Sequence, residues 1–215
     1  MGPRALGGGV EVASQAAAVD AGHEQHTSTG LDNVKLAMWA FLGSECLFFG
    51  SLISTYLLYR DRVLTGQGPN PHDIYDIPYT SVSSFVLLMS SLTMVLALAA
   101  IQRGDHKGLR TWLLATALLG MVFVGGQIYE FTVFVEEGLK LSSSPAGSAF
   151  FLLTGFHGAH VTVGILMLLL LVGMSLAGRI PQTDARKVEL VGLYWHFVDI
   201  VWIVVFTVVY LIPLN

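Results

Sequence analysis

Seven polar side chains stand inside long apolar stretches of this sequence: Glu45, Gln127, Glu130, His157, His160, His196 and Asp199. Imidazoles and carboxyl groups can ligate metals, pass protons or join helices by hydrogen bonds. Three histidines with a carboxylate are chemically adequate ligands for zinc, iron or copper. HGAH at 157–160 supplies only a local pair, and every further ligand would have to arrive from a distant segment. A pair of stacked haems wants facing helices that each carry histidines several turns apart. That ladder is missing. Ser44 with Glu45, or His196 with Asp199, comes without the nucleophile elbow of a hydrolase. Glu45 is of a type that transfers protons, yet one carboxylate does not make a wire. The reading is therefore a layer of hydrogen bonds between helices, with no metal and no catalytic residue in this chain.

Spacing sharpens that reading. Gln127 and Glu130, His157 and His160, and His196 and Asp199 are each three residues apart, so each pair shares one side of a helix. Gly155, Gly158, Ala159 and Gly164 surround or follow the histidine pair, and Gly120, Gly125 and Gly126 precede Gln127. Small residues let helices approach closely enough for side chains to bond across them. A compact bundle with a polar seam is expected, because ionisable groups facing lipid are costly.

The elements that must position these groups are membrane spans. Of 215 residues, 53% are hydrophobic and only 12% charged, a balance outside the soluble range. Five windows are long enough to cross a bilayer: 34–59, 80–102, 110–135, 147–177 and 188–212. They predict an all-α polytopic membrane protein. Arg4, Lys35, Arg103, Lys107, Arg110, Arg179, Arg186 and Lys187 fall on one side and Arg60, Arg62 and Lys140 on the other. This asymmetry places the N-terminus inside and the C-terminus outside. Residues 1–32 form a mobile polar tail with no signal-peptide core, ahead of a membrane domain over 33–215. Cys46, the single cysteine, excludes an intrachain disulfide. The net charge of -4 is unaccompanied by a basic patch for nucleic acid. Trp195 and Trp202 read as packing against helices or lipid. Arg60 and Arg62 are placed to meet headgroups, and grooves between the helices to retain phospholipid tails.

At these residues the sequence resembles subunit III of the haem-copper respiratory oxidases, especially the five-helix bacterial form. MWAFLGSECLFFGSLISTYLLYR looks like the family's first shared helix with its buried glutamate, Glu45. GQIYEF at 126–131, FFLLTGFHGAHVTVG at 150–164 and GLYWHFVDIVWIVVFTVVYL at 192–211 are similar to three further signatures in order. The resemblance implies a non-redox accessory subunit of a proton-pumping terminal oxidase. Haem and copper would reside in catalytic subunit I and copper-bearing subunit II, with subunit IV and a supercomplex as further partners. It implies cytochrome c as electron donor, retention of membrane lipid and support of sustained proton uptake. Glu45, Arg60 and Arg62 would then shape the proton environment or touch lipid. Gln127, Glu130, His157, His160, His196 and Asp199 would form a structural network. The longer family form has two more helices before the first shared one, so its lipid cleft does not carry over intact. Alternatives are a quinol-oxidase subunit III, an accessory subunit for nitric-oxide reduction, or a small channel. The absent repeat symmetry counts against the last.

Overall fold

The computed structural model describes residues 33–60, 76–142, 144–181 and 185–212. The expected tail at 1–32 and Arg62 lie outside these residues. Among them are five long helices: α1 Asn33–Tyr59, α2 Ile77–Gln102, α3 His106–Glu136, α4 Pro145–Leu176 and α5 Arg186–Phe206. The last continues as a wide π turn over Thr207–Leu211, where the Ile212 N–H donates to the Thr207 carbonyl at 3.1 Å. All five are long and apolar enough to cross a membrane. With a rise of 1.5 Å per residue, the 26 residues of α2 extend about 39 Å.

All five helices begin slightly before the apolar windows, and at α2, α3 and α4 polar side chains cap the earlier start. The Asp76 carboxylate accepts from Tyr79 N–H at 3.1 Å, and Pro78 occupies the first turn, where its missing donor costs nothing. Asp105 accepts from Gly108 N–H at 2.9 Å, and Ser144 from Gly147 N–H at 3.0 Å. The far ends of α2, α3 and α4 share one device. Gly104, Gly138 and Gly178 take φ of 73°, 95° and 67°, left-handed backbone that glycine adopts without strain. In each case the next residue's N–H reaches back into the helix, as Asp105 N–H does to Ala100 O at 2.9 Å.

Residues 33–41 are helical and fall in a separate unit, while the bundle is built from Leu42 onward. Helix α2 packs along α3, α3 along α4, and α5 lies against both α4 and α2, closing a ring of four. Leu87, Leu113, Phe123, Leu153, Leu168 and Trp195 fill its interior. Leu47, Val82 and Leu170 project outward, each at least 65% exposed, as suits side chains solvated by lipid tails. Lipid is as apolar as leucine, so close packing must hold the ring together. Trp195 shows how. A Cβ at Gly120 would lie 2.6 Å from its indole, and one at Gly164 would lie 2.8 Å away. The absent side chains on α3 and α4 are the space the ring system occupies.

Candidate functional site: separate polar contacts between helices

The expected single seam is divided into separate contacts, because two of the three polar pairs sit where two different neighbours meet their helix. On α5, His196 and Asp199 converge through a residue of α2. Ser91 lies 2.9 Å from His196 Nδ1 and its hydroxyl donates to Asp199 Oδ2. A hydroxyl that gives its proton to the carboxyl group can only accept from the imidazole, which assigns the proton of His196 to Nδ1. The order of donation is thus His196 to Ser91 to Asp199. Asp199 is buried, and its Oδ1 has no hydrogen-bond partner.

Two indoles continue this α2–α5 contact. Trp195 Nε1–H donates to Ser90 Oγ at 2.9 Å and Trp202 Nε1–H to Ser84 Oγ at 2.8 Å. Both serines also donate to carbonyls of their own helix, so they act as acceptors with fixed direction; Ser84 reaches Thr80 O at 2.7 Å. The indoles are buried against neighbouring helices, as the packing expectation had it, and their N–H groups are anchored as well.

Gln127 and Glu130 part company. Gln127 Nε2–H donates to Thr154 O on α4 at 2.7 Å, and a Cβ at Gly158 would lie 2.6 Å from its Oε1. Glu130 Oε1 accepts from Thr80 of α2 at 2.6 Å and from Tyr210, beyond α5, at 3.3 Å. One carboxyl oxygen thereby joins three segments of chain.

His157 and His160 diverge as well. Three residues advance an α-helix by about 300°, so the two rings share a side but not a heading. His157 is fully buried, with Nε2 3.2 Å from Val198 O and its ring 4.7 Å from that of Trp202. A carbonyl can only accept, so Nε2 carries the proton; Nδ1 has no partner. His160 turns towards α1. Its Nδ1–H donates to Phe156 O at 2.7 Å, and Nε2 lies 3.2 Å from Glu45 Oε2. Phe48, Phe49 and Phe156 border this pair, with Phe49 and His160 centroids 5.0 Å apart. The two side chains keep 17% and 19% of their surface, so the contact is at the margin of the ring.

Arg60 closes α1, its backbone N–H bonded to Tyr56 O at 2.8 Å. Among the described residues, no three His, Cys, Asp or Glu side chains converge as metal ligands do. Ser84, Ser90, Ser91, Thr80 and Thr154 were not singled out by sequence. The signal available was the polar run TSVSS with the following SS pair, set against tryptophans seven residues apart.

A family model described as "Cytochrome c oxidase subunit III" matches residues 13–213. The chain is 40% identical to "Quinol oxidase subunit 3" of Bacillus subtilis over 193 residues, covering 89% of this chain and 93% of that one. It is 41% identical to "Cytochrome c oxidase subunit 3" of Bacillus sp. strain PS3, covering 83% and 86%. Identity is 37% to "Cytochrome bo(3) ubiquinol oxidase subunit 3" of Pseudomonas aeruginosa, covering 89% and 91%. A match of this extent, joined to five spans and the polar contacts between them, makes the chain a member of the subunit III family of haem-copper respiratory oxidases.

Proposed function

We propose that this chain supports a quinol-fed haem-copper oxidase by bracing its membrane core and tuning the surroundings of proton uptake. As a family member it is a multi-pass membrane protein and a non-catalytic subunit of a respiratory oxidase complex. Family membership implies association with subunits I and II, where haem and copper reside. For the donor, quinol replaces the cytochrome c that the sequence resemblance implied. Relatives named for quinol occur in both Bacillus and Pseudomonas at 40% and 37% identity, beside relatives named for cytochrome c at 41% and 37%. A subunit IV and a supercomplex complete the proposed partners. The membrane domain is 33–215, with 1–32 as its tail.

The observation that carries the tuning role is the Glu45–His160 contact. Glu45 Oε2 and His160 Nε2 stand 3.2 Å apart without an aligned hydrogen bond, near enough that a small rotation would let a proton pass between them, and both side chains retain some exposed surface. Glu130, Gln127, His157, His196 and Asp199 serve instead as structural ties, each bonded to a helix or segment other than its own. Arg60 and Arg62 meet lipid headgroups. The basic residues of the α2–α3 and α4–α5 connections support an inside N-terminus and an outside C-terminus.

The test is Glu45→Gln in the purified complex, which preserves side-chain shape while removing the exchangeable carboxyl proton. Haem content and co-purifying chains should be unchanged, while oxygen uptake decays faster during turnover. Equal turnover lifetime in both complexes rejects the tuning role. Oxygen uptake with quinol against reduced cytochrome c decides the donor independently.

A further inference from the structure

We propose that the cavity between α2 and α3 beside Asp76 binds the ammonium group of a membrane aminolipid. This goes beyond the function proposed above and depends on neither its donor nor its Glu45 role.

The cavity measures about 440 Å³ and is lined by Asp76, Tyr79, Tyr129, Glu130, Val133 and Phe134. It lies where α2 begins and within two turns of the end of α3, the level at which spans meet headgroups. Two carboxyl groups face one space, and no basic side chain lines it among the described residues. Both protein hydrogen bonds to Glu130 fall on Oε1, leaving Oε2 as an acceptor although the residue is only 7% exposed. On Asp76, Oδ1 is engaged by the helix cap.

The walls select the kind of cation. Tyr79 and Tyr129 have ring centroids 5.8 Å apart and planes inclined by 55°, so the two rings pack together as one aromatic wall of the opening. Tyr79 is held by its hydroxyl donating to Gly126 O at 3.4 Å. Aromatic faces beside carboxyl groups suit an organic ammonium, which gains from ring electrons and donates to oxygen. The space is far larger than a bare metal ion requires. A lipid is the occupant of matching geometry. Tyr129 is 61% exposed, its neighbour Ile128 is 62% exposed, and Val82, one turn beyond Tyr79, is 66% exposed. An acyl chain leaving the cavity would run down that apolar surface while its headgroup stayed at the interface.

The test uses the intact oxidase complex, delipidated and rebuilt with dioleoylphosphatidylethanolamine or with its N-acylated form, which lacks the ammonium. Native mass spectrometry then counts lipid retained on this subunit. Asp76→Asn keeps the cap because asparagine also accepts from Tyr79 N–H, and Tyr129→Leu alters an exposed ring; both variants therefore keep the fold. Each should weaken retention of the aminolipid about fivefold, the scale of one cation–aromatic or charge contact. The unaltered complex should discriminate against the N-acylated lipid. Equal retention of both lipids, or equal retention by variants and parent, overturns the proposal. So does a photocrosslinker at Tyr129 that captures a protein chain instead of lipid.

Discussion

The contact of α5 with α2 and that of α1 with α4 use the same residue types to opposite ends. Between α5 and α2, Trp195, Trp202 and His196 all meet serines, and the indoles are 1% and 3% exposed. Every direction is set by a hydroxyl that is already committed to another acceptor. Between α1 and α4, one carboxyl group meets one imidazole at the margin, among phenylalanine edges. The first arrangement has little freedom to change its proton positions without losing helix register. The second can change its proton position and leave the helices where they are. Buried indoles and hydroxyls already committed to another acceptor, more than residue type, separate these ties from the tuning contact proposed for Glu45 and His160.

This contrast is most vulnerable at Gly164. Gly164→Ala would press a methyl group against the Trp195 ring from 2.8 Å, and overpacking of this kind costs about 1–3 kcal/mol. Thermal dissociation of the subunit from the complex should fall clearly; an unchanged midpoint would mean the indole has room to move. Ser91→Ala should come next. It strands both the His196 donor and Asp199 Oδ2, and interhelical bonds in membranes are worth about 0.6 kcal/mol, reaching about 1.7. In the same assay, His196→Ala and Asp199→Ala should be less than additive when combined, since one serine links them. Strict additivity would dissolve the linked trio.

At the other contact, His160→Gln should scarcely alter dissociation, by about 0.5 kcal/mol or less. It should nevertheless shorten turnover lifetime as Glu45→Gln does. A large stability loss with normal turnover would place this pair in the same class as the α5 contacts. Tyr79→Phe should have the smallest effect on dissociation, a few tenths of a kcal/mol, because its 3.4 Å bond to Gly126 O is long and exposed.

Much of this was readable from the chain. Helix number followed from apolar length, and the interiors of the spans from where polar residues interrupt them. Helix starts did not, since Asp76, Asp105 and Ser144 extend the helices into polar sequence by side-chain capping. The three-residue spacing of His196 and Asp199 led to one shared partner, Ser91, whereas the same spacing in His157 and His160 led to two different helices. Spacing fixes relative heading on one helix; it is silent on where the boundary between two neighbours falls. Serines in α2 were equally ambiguous, because a serine bonded to its own helix and one that also accepts an indole read alike.

The wide turn after Phe206 has a consequence for chain length. A residue inserted into an α-helix rotates everything beyond it by about 100°, but a π turn takes up one extra residue locally. Trp195 and Trp202 repeat at an interval of seven, which regular helix would pass on to Val209; here Tyr210 reaches Glu130. The last span therefore behaves like a screw with slip at one end. It is locked by threads along α2, yet its exit can accommodate a change in length without turning the indoles from their serines.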